Sequence, residues 1–329
     1  MDFALSDEQR MLRDTARDLF ARECPIEFVR RAFADPACGR ALWDRHLSGW
    51  LELAAGDVVD VALFLEEHGR AVAPGPFFAA LLAAQLAVAV GHDDPGSATV
   101  AVAGPDGLWS PHDHPVKHFV ASASDVDAIL VVGGSARAPR LVRVEREGVL
   151  LAPVEQMDGL RPQFRVDTRG VGPGEAIDPR AWLHAVERAL VCGSAELIGV
   201  GRRLLESAVE YAKQRVQFDR PIGSFQGLQW MLVDAALDLE RAAAAVASAA
   251  MCVDADDPDR HRAAHGAKAL AGLAARRCAR TGLQVHGGLG YTWEHGLHYW
   301  LRRAYAGDAF MGPAAHHHDR LAELLFADL

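Results

Sequence analysis

The chain has 329 residues, half of them hydrophobic, so it can bury a large core and suits two or three domains in one folded unit. A formal net charge of -10 with no long Lys/Arg run argues against nucleic acid as a partner, since backbone phosphates need a concentrated basic surface. Five cysteines, at 24, 38, 192, 252 and 278, are odd in number and lack metal-ligand or redox-pair spacing, which predicts reduced packing residues rather than disulfides.

The first ten residues carry no cationic start followed by an apolar core, so a cytoplasmic protein without a secretion signal is expected. Ser6 is a candidate N-cap with Gln9 closing a capping box, and Met11, Leu12, Ala16, Leu19 and Phe20 follow at helical spacing. The longest apolar tract, Phe77 to Val90, contains Gln85 and is shorter than the about 20 residues that cross a bilayer, so it predicts a buried helix and no membrane partner. Helical patterns thus fill an N-terminal domain over 1–95.

Over 96–175 the pattern changes to β-branched runs, at 99–103, 118–121, 128–132 and 141–144, separated by Gly, Pro and Asp. From 176 to 329 helical stripes return, beginning with Val186, Leu190, Leu197, Gly201, Leu204 and Ala208, and they predict a helical bundle. A strand block flanked by separate helical segments lacks the alternation of a doubly wound sheet, so the fold class is mainly α with a central β domain. Gly193, Gly199 and Gly201 follow no strand, which favours close helix packing over a dinucleotide loop.

Arg215 to Gln226 combine a guanidinium, an aromatic ring, a Pro-Ile turn and an amide, a set suited to a pyrophosphate and an apolar cofactor face. The same residues also read as a helix-end charge (Arg215), a core anchor (Phe218) and a turn glycine (Gly223). Further on, Gln284 offers an amide, and Gly287 and Gly288 let a ligand approach the backbone N–H groups; a tight helix-to-helix turn explains the glycines equally.

Gln214-Arg-Val-Gln-Phe-Asp-Arg-Pro-Ile-Gly-Ser-Phe-Gln226 and Gln284-Val-His-Gly-Gly-Leu-Gly-Tyr-Thr-Trp-Glu-His-Gly-Leu-His-Tyr-Trp-Leu-Arg-Arg303 together resemble the C-terminal half of acyl-CoA dehydrogenases. Phe3-Ala-Leu-Ser-Asp-Glu-Gln9 and Glu66-Glu-His-Gly-Arg-Ala-Val-Ala-Pro-Gly-Pro76 resemble that family's opening helix and a phrase of its bacterial branches. The resemblance implies an N-terminal helical domain, a reduced middle β domain and a C-terminal four-helix bundle. It also implies FAD, with Arg215, Phe218, Gln226, Gln284, Gly287 and Gly288 touching its ADP part across a subunit interface. Asp219 stands where the family commonly has glycine.

Family chemistry needs a carboxylate to remove the α-proton of a thioester while flavin takes the β-hydride. By ungapped alignment the usual base position is Met311, followed at the flavin-contacting threonine by Pro313; the alternative position is Ala189, beside Leu190. Glu187, two residues upstream and about 200° around the helix, and Asp308 are fallback bases, while Glu196 is expected on a solvated face or in an ion pair. The segments that cradle the flavin ring are missing, and residues 105–117 occupy their region. His112/His114, His295/His298 and His316-His-His318 are expected at the polar surface, with no metal site.

These losses predict the degenerate subunit of a heteromeric, α2β2 dehydrogenase resembling those of bacterial steroid side-chain degradation. A homologous full-length subunit would supply the base and ring pocket, an acyl-CoA would be the substrate, and an electron-transfer flavoprotein or similar acceptor would take the electrons. A self-sufficient homomer using Glu187 or Asp308, and a flavin-free acyl-CoA or protein-binding scaffold, are the alternatives.

Overall fold

The computed structural model describes residues 4–92 and 95–326; Phe3 of the opening phrase lies outside them. Ser6 starts helix α1 (Asp7–Glu23): its Oγ accepts the Gln9 N–H at 3.1 Å, and Gln9 Oε1 accepts the Ser6 N–H at 3.1 Å. This reciprocal box satisfies two donors that a helix start otherwise leaves open. Helices α2 (Ile26–Ala34) and α3 (Ala37–Leu42) follow, and α3 runs on through a π turn and a 3-10 segment to Ala55. Helix α4 (Val58–Arg70) is capped from the far end of the chain, where the Asp254 carboxylate accepts the N–H groups of Val58 and Val59 at 2.6 and 3.1 Å. Helix α5 (Phe77–Val90) is the apolar tract; every residue from Phe77 to Ala87 is buried, because α5 lies between the helical and β layers.

The middle of the chain forms two sheets. One has the order β1 (Ala98–Ala101), β3 (Ala128–Ser135), β4 (Ala138–Glu145), β7 (Glu175–Ala176), with β1 parallel to β3 and the other pairs antiparallel. The other is antiparallel, β2 (Val116–Ala121), β6 (Gln163–Asp167), β5 (Leu150–Val154). Ala101, Ile129 and Val131 of the first pack against Val120 and Val166 of the second. The four β-branched runs lie in β1 to β4, whereas β5, β6 and β7 escape the pattern. β5 is an edge strand and mostly exposed, so no alternating apolar face marks it.

Helix α6 (Pro179–Gln214) starts with Asp178 as its cap and proline at its first position, and ends at Arg215. Helices α7 (Gln226–Asp254), α8 (Arg260–His286), α9 (His298–Ala309) and α10 (Ala314–Phe326) complete the bundle. From Ala189 to Gly201 α6 is buried all round, since α4 and α5 cover one side and α7 and α8 the other. Small residues make this crossing possible: a Cβ at Gly199 would collide with the Glu66 carbonyl, and one at Gly69 with the Glu196 carbonyl. One apolar core therefore runs from α1 through α6 to α9.

Candidate functional site

Helix α6 ends where Arg215 leaves helical geometry, and a two-stranded hairpin, β8 (Val216–Gln217) and β9 (Arg220–Pro221), projects beyond it. The hairpin tip is Phe218 and Asp219, both with positive φ (52° and 60°), the left-handed pair that a two-residue loop of this hand requires. Aspartate tolerates that conformation, so Asp219 replaces a glycine without losing the turn. The tip holds Phe218 86% exposed, which overturns the core-anchor reading of this ring. Gln226 opens α7 and is exposed.

The second motif ends α8. Gln284 is exposed on its last turn, and Gly287 terminates the helix at φ 56°, ψ -137°, a conformation that a side chain disfavours. A Cβ at Gly288 would meet open space, so its freedom is that of exposed backbone rather than of close packing. Both motifs are carried to one end of the bundle: Val285 packs with Ala208 and Ala212 of α6, and Ile222, Leu228 and Leu232 close over them. The His286 ring stacks on Tyr211 at 4.7 Å.

Beside Gln284 an open groove of 490 Å³ runs between α7 and α8, lined by Met231, Asp234, Arg277, Arg280 and Thr281. Arg277 is engaged by Asp238 at 2.6 Å, whereas Arg280, one turn before Gln284, is exposed on the same face. Sequence reading missed Arg280, although its i, i+4 spacing to Gln284 was a usable signal. A guanidinium, an amide and accessible backbone N–H groups at one exposed edge suit a diphosphate, so these residues fit the ADP part of FAD.

The base positions look different. Ala189 and Leu190 are packed in the core, 2% and 1% exposed. Met311 sits at the turn after α9, with φ 59° and its thioether 4% exposed; it has no lone pair basic enough to take an α-proton. It borders a cleft between α5, the β layer and the end of α9. The inner lobe of this cleft holds only 30 Å³, about one water, because Phe78, Trp109, Phe119 and Phe310 fill it. Phe310 lies 5.6 Å from Phe78 and 5.7 Å from Trp109, which in turn stacks on Trp182. Trp109 belongs to the 105–117 segment, so that segment contributes to the cleft wall.

Neither fallback base lines the cleft. Glu187 is buried in an ion pair with Arg260 (3.0 Å) that ties α6 to the start of α8, with the His261 ring 3.3 Å away. Asp308 is 5% exposed; it pairs with Arg276 at 3.1 Å and accepts the Ala314 N–H at the start of α10. Beside it the fully buried Lys268 amine donates to the carbonyls of Asp308 (2.9 Å) and Gly312 (3.3 Å), and burial pulls its pKa down to about 8.

Glu196 takes the ion-pair alternative rather than the solvated one, 2% exposed at the meeting point of all three layers. It accepts from His68 (3.0 Å) on α4, from Arg161 (2.9 Å) in the β layer and from Arg303 (3.0 Å) on α9, and Arg303 also pairs with Asp158. Burial pushes the Glu196 carboxyl up, but Arg161 and Arg303 outweigh this and hold it well below the usual carboxylate range. Burial keeps His68 neutral, so two carboxylates face two guanidiniums and the cluster carries no net charge.

The histidine expectation also needs correction. His317 is 1% exposed and meets His265 at 2.8 Å between Nδ1 atoms, while His298 packs against Trp293 and Tyr299. Among the described residues no group of His, Cys, Asp and Glu is arranged to hold a metal ion, and no helix is long and apolar enough to cross a membrane. All five cysteines are free.

Comparison with known proteins agrees with this architecture. Residues 182–326 match the model of the acyl-CoA dehydrogenase C-terminal domain. The acyl-CoA dehydrogenase IpdE2 of Mycobacterium tuberculosis is 32% identical over 313 residues, 91% of each chain. The fold superposes on a chain of the ChsE4-ChsE5 complex from Mycobacterium tuberculosis with a TM-score of 0.85 at 24% identity, covering 99% of both. A chain of the Tcur3481-Tcur3483 steroid ACAD gives 0.84 at 24% identity, covering 98% of both. Fold and motifs define an oxidoreductase of the class that acts on CH–CH bonds. The chain belongs to the acyl-CoA dehydrogenase family, whose members are generally FAD-dependent.

Proposed function

We propose that this chain is the reduced subunit of a two-protein acyl-CoA dehydrogenase that desaturates a CoA thioester between its α and β carbons. When bound, FAD supplies the hydride acceptor for this reaction. Arg215, Phe218 and Gln226 at the hairpin, with Gln284, Gly287 and Gly288 at the end of α8, hold the ADP part of a flavin whose ring lies in a partner subunit. The partner, a homologous full-length chain, contributes the ring pocket and the catalytic base. Arg280 adds positive charge to the same edge.

One observation carries this reading. The residues suited to the cofactor stand exposed at an edge, with Phe218 86% exposed, while the chain's own cleft has a methionine at the base position and an inner lobe of 30 Å³. Phe218 and Val216 stand exposed together on this hairpin, which suits a contact made outside the chain. A wide apolar stripe on α7, including Trp230, Val233 and Leu237, is likewise exposed and suits a subunit contact.

A steroid side-chain acyl-CoA is the substrate class we favour, on the likeness to a steroid ACAD, and an electron-transfer flavoprotein or similar carrier is the acceptor. The self-sufficient alternative loses support because Glu187 and Asp308 are both consumed in ion pairs away from the cleft. Co-expression with a homologous full-length subunit tests the proposal: a yellow mixed complex that oxidises an acyl-CoA is expected. A flavin-free complex would favour the scaffold alternative.

A further inference from the structure

A separate hollow of 580 Å³, within the range of small-molecule sites, lies against another face of α5. Phe78, Ala79 and Leu82 of α5 line the cleft described above, whereas Ala84 and Val88 line this hollow, so one helix stands between the two. Its other wall is the π turn (Trp43–Leu47) and the 3-10 segment (Ser48–Ala55), and the 95–97 segment and Asp127 close the end. The space exists because the walls are small: Gly49, Ala54, Ala55 and Ala84 line it, and a Cβ at Gly49 would meet nothing. Trp43, 4% exposed, gives it a flat apolar floor.

Two further features point to an occupant. The π turn begins at Trp43 itself, and turns of this kind recur at functional sites. Ser97 also borders the hollow, and its hydroxyl is buried with no hydrogen-bond partner among the described residues. A buried hydroxyl left unpaired costs free energy, which a polar group brought in by a ligand can recover.

Charge decides the class of ligand. Among the described residues Arg40 is the one cation on the hollow, and it is already engaged: Nε donates to the Asp44 carboxylate at 3.0 Å and Nη1 to the Asp125 carbonyl at 2.6 Å. Asp127 lies 3.7 Å from Arg40, and Glu52 is exposed on the rim with no basic partner among the described residues. The rim is therefore net negative, which opposes phosphates and carboxylates and attracts a cation. We propose that this hollow binds a small amphiphilic amine, with its apolar body over Trp43 and its ammonium at Glu52 and Asp127. This site does not depend on the flavin reading of the α8 edge.

Fluorescence titration of the purified full chain with dansylcadaverine, an apolar fluorophore carrying a primary ammonium, tests it. Saturable binding with blue-shifted emission is expected. Dansylglycine, the same fluorophore with a carboxylate, should bind at least about tenfold more weakly. Glu52→Gln should weaken dansylcadaverine about two- to fivefold. Val88→Trp, which fills the hollow from an exposed position on α5, should weaken it at least about tenfold. The melting temperature checks that each variant folds, and the Glu52→Gln arm decides alone where Val88→Trp does not fold. Unsaturable binding, equal affinity for the two dansyl compounds, or affinity unchanged in a folded variant overturns the site. The FAD content of the co-expressed complex should be the same for Glu52→Gln and wild type, so this proposal and the flavin reading fail separately.

Discussion

Arg215 is the side chain whose removal speaks most directly to cofactor contact. It caps α6 at the surface and carries no core packing, so Arg215→Ala should leave the fold intact. A lost charge-assisted contact to a diphosphate is worth about 1.5–3 kcal/mol, so FAD affinity of the mixed complex should fall about 10- to 100-fold, read by equilibrium dialysis. Unchanged affinity would remove Arg215 from the site. Met311 gives the complementary test. Restoring a carboxylate there, as Met311→Glu, should not make the isolated chain a dehydrogenase, because Trp109 and Phe310 still fill the inner lobe. Turnover of an acyl-CoA by that variant alone would show that the missing base was the chain's only deficit.

Between elements, the Glu196 cluster joins α4, the β layer, α6 and α9 through four charges that cancel. Glu196→Gln leaves two buried guanidiniums facing one carboxylate, and should cost about 3–5 kcal/mol in denaturant unfolding. A loss below about 1 kcal/mol would show that the cluster is not buried as described. The α8–α10 contact adds a pH dependence. Burial lowers His265 to about 3 and His317 to about 2, below the ordinary 6.5, so both stay neutral in the folded chain. The unfolded chain protonates first: their contribution is complete above about pH 6.5 and is lost as pH falls toward 3. His317→Phe should therefore flatten the fall in melting temperature over this window, and an identical slope would contradict it. Local features were legible in advance, such as the Ser6–Gln9 box, whose partners are three residues apart. The partners of Glu196 were not, because Arg161 and Arg303 are 35 and 107 residues away and sequence leaves both a solvated face and an ion pair open to an isolated Glu on a helix. His317 failed for the same reason: three adjacent histidines look like surface until the facing His265 is known. The edge strand β5 left no apolar alternation to find.

At the scale of the whole molecule, the helix, strand, helix order was readable from periodicity, and the paired motifs at 214–226 and 284–303 marked one end of the bundle. The filling of the cleft was not readable, since it depends on Trp109 and Phe310 meeting across 201 positions of sequence. We propose an asymmetric architecture, with a cofactor held at one edge and a cleft whose inner lobe is filled by aromatic side chains. The most direct test is to measure FAD content and acyl-CoA oxidation for the chain purified alone and for the chain co-expressed with a homologous full-length subunit. The account predicts little flavin and no oxidation for the chain alone, with both present in the mixed complex. A chain that purifies by itself with one FAD per subunit and oxidises an acyl-CoA would contradict it.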